Sequence, residues 1–445
     1  MPEFDAIMLD TNILIHNPQV LYDFKNSKCK NILLSSVTLE ELDKLKKESG
    51  DKGRNAREAT KEIVKIVEKG KINCFQNLTI IPSSSTAKIA DDKILDDLFA
   101  REEQVLFLTL DNIMYIKAML RNQNNTRKHK IELFDASKTT KHSADDYTGR
   151  INIRCSETHI AELYTNGYVS TQNMFLEDDE NGCKALEKGD LVINQFITLI
   201  NANNPSQPAL GRFDGKTIQK LRYEKAFPYD VHPKNQGQLF FQEALLESAE
   251  KAPLVICKGP AGTAKTFYSI AVGLEYMLNT KEPPFRKILC CRPNVQMDED
   301  LGFLPGDEKD KIAPYFRPII DNLEHFVGKG KNHKVEDIIA FANINFEAVA
   351  FMRGRSITDT YLIVDEAQNL TIGQVKGIIT RAGKGTKVIL IGDPEQIDNP
   401  YLDKVNNGLS YASAKMKGSP LCYQISMSDI EGVRSKLATE AAQRL

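Results

Sequence analysis

The segment Gly259-Pro260-Ala261-Gly262-Thr263-Ala264-Lys265-Thr266 joins two glycines, a lysine and a hydroxyl in a short loop. Phosphate binding needs backbone N–H groups converging on the anion at a helix start, a lysine reaching the terminal phosphates and a hydroxyl on magnesium. Lys265 and Thr266 fill the last two roles. The apolar run PLVICK precedes the loop and TFYSIAVGLEYML follows it, so strand, loop and helix come in the order the chemistry requires. Ala264 stands where the usual pattern has glycine. If that position needs φ > 0, alanine costs about 1–2 kcal/mol, which weakens nucleotide binding without excluding it. Downstream, Tyr361 to Glu366 reads as an apolar strand ending in two acids, with Asp365 suited to hold magnesium and Glu366 to activate water. VILIGDPEQID then places Gly392, Asp393 and Gln396 after another buried strand, where the Gln396 amide can sense a γ-phosphate. A chance glycine-rich turn would lack these partners, and Glu366 with the GDPEQ segment disfavours a small-molecule kinase.

A second chemistry is written in carboxylates. Asp10 ends the first apolar run in LDTN, Glu41 lies in a following helical pattern, Asp91 opens another in ADDKIL, and Asp111 ends a later run in LTLDN. Four separated segments bring such acids together only at the carboxyl edge of a parallel sheet. Gathered anions raise one another's pKa and need a cation; Mg²⁺ or Mn²⁺, both oxygen-preferring, is the expected counter-charge. A divalent site of this kind activates water for phosphodiester cleavage. Taken singly, each acid reads better as a helix cap, a turn former or part of a solvated helix face.

The elements that must position these groups follow from periodicity. From Phe4 to about Ala136, strand-like IMLD, ILLSS and VLFLTLD alternate with helix-like LEELDKLKKE, NAREATKEIVKIVEKG and DDKILDDLFAREE, a βαβ rhythm that predicts a parallel sheet. Between about 137 and 230, short alternating stretches such as GRINIRC, DLVINQFITLI and ALGRFDG predict a small β-rich connector, with NANNPSQP as a hairpin tip or flexible segment. From 231 to 445, the runs PLVICKG, KILCCRP, YLIVDEA and KVILIGD predict a second parallel α/β domain. The expected architecture is thus α/β throughout, in three parts: 1–136, 137–230 and 231–445.

Composition narrows the setting. A chain of 445 residues is too long for one ordinary core. With 41% hydrophobic and 27% charged residues it reads as soluble and globular, and no long apolar run or leader pattern appears, so a cytoplasmic protein off the membrane is expected. The eight cysteines, Cys29, Cys74, Cys155, Cys183, Cys257, Cys290, Cys291 and Cys422, include no CxxC pair and read as reduced, mostly structural thiols. A net charge of −2 means that any nucleic-acid contact must come from local basic clusters.

Two resemblances follow from these motifs. GPAGTAKT, CRPNVQMDEDLGFLPGDEKDKIAPYFRP, MRGRSITDTYLIVDEAQN and LIGDPEQID resemble the PhoH family of ATPases, related to superfamily-one helicases, over most of 233–445. This implies nucleotide hydrolysis coupled to RNA, with Gln238 similar to the adenine-reading glutamine ahead of the loop. Arg381 and Arg434 match arginine positions of that family and are the candidates to complete the γ-phosphate site; the alternative is two solvated surface arginines. If either acts on a neighbouring subunit, the protein is a ring or other oligomer, and related ATPases suggest a hexamer. Arg292, Arg353 and Arg355 either bind RNA phosphates or structure the site. LDTNILIHNP, VTLEELDKLK, ADDKIL and LTLDNIMYIKA resemble PIN-domain ribonucleases over residues 4 to about 120. That implies Asp10, Glu41, Asp91 and Asp111 as metal ligands, Asn12 or Thr11 in support, and Glu40 and Asp92 as close substitutes. A PIN domain joined to a PhoH domain implies an ATP-driven motor feeding single-stranded RNA to a nuclease; the alternative is an ATP-switched RNA-binding regulator with an inactive PIN-like module.

Overall fold

In a computed structural model, which describes residues 4–18, 20–23, 31–48, 51–68, 77–125, 128–134, 147–178, 182–201, 204–205, 207–293, 313–328, 334–349, 356–399 and 402–432, the chain divides into two compact units, Met1–Ser143 and Ala144–Leu445. The first unit opens with β1 (Ala6–Leu9), α1 (Thr11–His16), α2 (Val20–Asp23), β2 (Asn31–Ser35) and α3 (Ser36–Leu45). It continues through α4 (Asp51–Glu68), β3 (Asn77–Ile81), α5 (Ala90–Phe99), β4 (Val105–Thr109), α6 (Asn112–Asn124) and β5 (Lys130–Leu133). All strand pairs are parallel and the order is β3-β2-β1-β4-β5. Helices cover both faces, so β1 buries Ala6 and Met8 in one core and Ile7 and Leu9 in the other. The chain leaves β1 toward β2 and later crosses to β4 on the other side. That reversal puts the crevice of an open α/β sheet at the carboxyl ends of β1 and β4, where Asp10 and Asp111 lie.

The second unit carries two sheets. The β-rich stretch supplies β6 (Arg150–Cys155), α7 (Glu157–Asn166), β7 (Tyr168–Val169), β8 (Phe175–Asp178), β9 (Gly182–Ala185), β10 (Phe196–Asn201), β11 (Ala209–Phe213) and β12 (Ile218–Lys220). These strands form a mixed sheet of order β7-β12-β11-β10-β6-β8-β9, in which β6 and β10 run parallel. NANNPSQP joins antiparallel β10 and β11.

The nucleotide-binding half follows with α8 (Gln236–Leu246), β13 (Leu254–Lys258), α9 (Lys265–Leu274), β14 (Lys287–Arg292), α10 (Arg317–Glu324), α11 (Val335–Phe341) and β15 (Ile344–Ala348). It ends with β16 (Thr360–Val364), α12 (Ile372–Ile379), β17 (Lys387–Gly392), α13 (Gly408–Met416) and β18 (Cys422–Ser426). Its sheet is parallel, ordered β15-β14-β16-β17-β13-β18.

The mixed sheet is built onto this half rather than strung beside it. Phe196 of β10 stacks on Phe240 of α8 with centroids 4.9 Å apart and meets Tyr423 of β18 edge-on. The Asn194 amide donates to the carbonyls of Ser419, Pro420 and Cys422. Cys257, Cys290, Cys291 and Cys422 are buried in the strands. Among the described residues, no helix is long and apolar enough to cross a membrane.

Candidate functional site

The loop after β13 has the backbone of a phosphate cradle. Gly259 (φ 155) and Gly262 (φ 83) take conformations that favour glycine, and a side chain at 259 would press on Met427 at 2.9 Å. Ala264 sits at φ 67, ψ 25, in the left-handed region, as the first residue of α9's cap. The departure from glycine therefore carries the strain that the sequence suggests. We expect Ala264→Gly to stabilise the second unit by about 1 kcal/mol, seen as a higher melting temperature of the full chain; a lower one would show that Ala264 is not strained.

Lys265 Nζ lies on the loop, donating to Gly259 O at 2.6 Å, Pro260 O at 2.9 Å and Thr263 Oγ1 at 3.3 Å. Burial lowers its pKa, and Asp393, Asp365 and Glu366 are among the groups that oppose the shift. Thr266 Oγ1 donates to Asp365 Oδ1 at 3.0 Å, so the two expected magnesium-holding oxygens come from segments 99 residues apart and touch. Burial raises the Asp365 pKa; Arg292 opposes that and the neighbouring Glu366 carboxylate adds to it.

Glu366 leaves β16 at φ 54, ψ 37. Its Oε1 takes Arg292 Nη2 at 3.1 Å and its Oε2 takes Gln368 Nε2 at 2.6 Å. Arg292 also faces Asp365 Oδ2 at 3.4 Å and donates to Tyr315 O at 2.7 Å. Of its two sequence readings, this placement matches the one in which Arg292 structures the site. Gln368 was not singled out from sequence. Fully buried, it holds Glu366, donates to Gln396 O at 2.8 Å and accepts from Asp393 N at 3.1 Å, tying the segments that follow β16 and β17 together. Its position two residues after Glu366 was the available signal.

Gln396 follows β17 at the same sheet edge with its side chain exposed. Gln238 is buried in the first turn of α8; its Nε2 approaches Thr263 O at 3.5 Å, against the phosphate loop. Arg381 follows α12, which has returned the chain to the amino end of the sheet; its guanidinium donates to Gly377 O at 2.9 Å and its carbonyl accepts from Ile357 N. Within one chain it does not meet the phosphate loop, which lies at the opposite edge. Arg434, Arg353 and Arg355 lie outside the described residues.

In the first unit, Asp10 is 2% exposed and accepts from Thr109 Oγ1 at 2.8 Å, with Asn12 Nδ2 at 3.5 Å. Among the described residues no lysine or arginine pairs with it. Burial pushes its pKa up to about 6; Glu41 and Asp91 add to the rise, while bonds from Thr109 and Thr11 oppose it. Thr11 Oγ1 donates to Glu41 Oε2 at 2.6 Å. Asp92 is engaged by Lys117 and Arg121, and Glu40 is exposed, so Asp91 and Glu41 are the members of each pair that act on Asp10. Asp111 caps α6, its Oδ1 accepting from Ile113 N at 2.7 Å and Met114 N at 3.1 Å. Thr109, which the sequence reading passed over, holds both ends: its hydroxyl donates to Asp10 and accepts from Asp111 N at 3.0 Å.

The donors are all oxygen, and a buried Asp10 beside two acids is the charge a divalent ion neutralises. As the side chains stand, no three acidic, histidine or cysteine groups among the described residues close on one point.

Comparisons with known proteins fit this geometry. A PhoH-like protein family model matches residues 230–445 and a PIN domain model matches residues 7–124. Protein PhoH2 of Bacillus subtilis (strain 168) is 32% identical over 456 aligned residues, covering 98% of this chain and 99% of that protein. The chain belongs to the PhoH family, in the form that carries a PIN domain. A PhoH-like protein of Synechocystis sp. is 37% identical over 42% of this chain and 56% of its own length, and Protein PhoH of Escherichia coli (strain K12) is 35% identical over 46% and 55%. Membership of the PhoH family supports nucleotide-dependent activity, and the PIN domain supports a nuclease-type module that uses divalent metal.

Proposed function

We propose that this PhoH-family chain hydrolyses ATP to move along or unwind single-stranded RNA, and that its PIN unit cleaves RNA with a divalent metal. The observation that carries the reading is the contact of Thr266 with Asp365 beside Glu366 and Gln396, which joins phosphate loop, metal-holding acid, water-activating acid and γ-phosphate reporter at one sheet edge. Lys265 draws the terminal phosphates into the loop's N–H groups, and Glu366 takes the proton of the attacking water. Magnesium held by Thr266 and Asp365 would supply positive charge against the phosphate oxygens. In the PIN unit, Asp10, Glu41, Asp91 and Asp111 would hold Mg²⁺ or Mn²⁺, which lowers the pKa of water.

Arg381 at the far sheet edge supports an arginine acting on a neighbouring copy, hence a homo-oligomer, a hexamer by analogy with related ATPases. The reading places the protein in the cytoplasm. Asp111's engagement as a helix cap favours a second reading, an ATP-switched RNA-binding regulator with an inactive PIN unit. Incubating the full chain with ATP, Mg²⁺, Mn²⁺ and single-stranded RNA separates them. ADP release stimulated by RNA, together with RNA shortening, is expected; ADP release without shortening favours the regulator, and no ADP release overturns both.

A further inference from the structure

The first strand of the β-rich stretch reaches the nucleotide-binding half at a charged point. Arg150, at the start of β6, places Nη1 2.8 Å from Glu431 Oε1 and 2.9 Å from Oε2. Glu431 also accepts from Gly237 N at 2.9 Å and Ser428 N at 3.0 Å. Its carbonyl accepts from Asn235 Nδ2 at 3.0 Å, and Asn235 Oδ1 in turn caps the N–H of Gln238 at 2.9 Å. The approach is close: a Cβ at Gly237 would stand 2.8 Å from both Glu431 oxygens, so a side chain there would push the carboxylate out of its present place.

Around this point the same two segments are zipped to the base of the phosphate loop. Ser426 N donates to Thr148 O at 2.6 Å and Met427 N to Lys258 O at 2.8 Å, one residue before Gly259. A Cβ at Gly149 would collide with Gln424 O at 1.8 Å. Burial would raise the Glu431 carboxyl, but the bonds from Arg150, Ser428 and Gly237 outweigh it and hold the pKa below the ordinary value. The glutamate stays ionised, and its charge is fixed at the start of α8, where backbone N–H groups favour it.

We propose that Arg150 and Glu431 are positioning residues for the nucleotide base, through which the mixed sheet holds the Asn235–Gln238 turn against the phosphate loop. The inference rests on the ATPase reading and on Gln238 as the base-reading side chain. Arg150 orients the carboxylate; the carboxylate fixes Gly237; and the turn aims Gln238, whose Oε1 accepts from Lys234 N at 2.8 Å and whose Nε2 meets Thr263 O. The mixed sheet is then part of the nucleotide site rather than a spacer.

The test is Arg150→Gln in the full chain, with Arg150→Lys as the conservative partner, read by steady-state ATP and GTP turnover and by titration with a fluorescent ATP analogue. An interaction used equally in ground and transition states appears in KM, so about a tenfold rise in KM for ATP is expected with kcat changed less than about twofold. The ATP-over-GTP preference falls by a similar factor, analogue binding weakens in parallel, and Arg150→Lys recovers part of each. An unchanged KM and base preference in folded Arg150→Gln overturns the proposal. So does a fall in kcat and melting temperature with KM and base preference intact, which marks a merely structural pair. Should the wild-type chain bind the analogue without turning over ATP, the ATPase reading fails, while the binding arm still decides the role of Arg150.

Discussion

Glu366→Gln is expected to lower ATP turnover by about two to four orders of magnitude, the usual worth of a positioned general base, while ATP affinity changes only a few-fold. The neutral amide keeps the size of the side chain and cannot take a proton from water. One of its two contacts also fails. Arg292 and Gln368 both donate to the carboxylate, so the new NH₂ must face one of them, a stability cost of about 1 kcal/mol. That is small against the loss of rate, and Lys265 with its loop is left unaltered. The measurement is kcat against ATP affinity for the folded variant. Turnover above about one tenth of wild type would remove Glu366 from the role of base, because general-base catalysis contributes at least about a hundredfold.

Asp10→Asn is expected to abolish divalent-dependent RNA cleavage and at the same time to stabilise the unit that contains it. The Asp10 pKa rises from 3.8 to about 6 in the folded chain. A raised carboxyl pKa means the folded state binds its proton more tightly than the unfolded state does. Stability from this group is therefore present at low pH and lost as pH rises from near 4 through 6. A shift of about two pH units corresponds to about 3 kcal/mol of cost at neutral pH. Asparagine removes the charge and keeps an oxygen for Thr109, so a gain on the order of 2–3 kcal/mol at pH 7 follows, shrinking toward pH 4. Mn²⁺ should raise the melting temperature of the wild-type unit and leave Asp10→Asn unmoved. A variant less stable than wild type at pH 7, or one that still cleaves RNA, would contradict the assignment.

What was legible in the sequence was local or periodic. The phosphate loop is a contiguous strand, turn and helix, and Asp365 and Glu366 end an apolar run, so spacing alone locates them. The βαβ rhythm of both parallel sheets was readable because helices cover both faces and leave strands continuously apolar. The mixed sheet could be read only as β-rich: its order interleaves late and early strands, β10 beside β6 and β12 beside β7, and alternation within a strand does not say which strand it will pair with. Supporting contacts were hidden by distance along the chain. Thr109 meets Asp10 across 99 residues, Arg292 meets Glu366 across 74, and Arg150 meets Glu431 across 281. No pattern in one sequence announces such pairs. Asp111 shows the opposite case, where the bland reading of a strand-end acid as a helix cap describes its present bonds.

A phosphate cradle around Lys265 and an acidic edge around Asp10 should work as two independent sites on one chain. Lys265→Ala tests it most directly, with ADP release and Mn²⁺-dependent cleavage of single-stranded RNA measured side by side on the folded full chain. ADP release should fall to background while cleavage persists; loss of both activities together, or ADP release unchanged, rules out two independent sites.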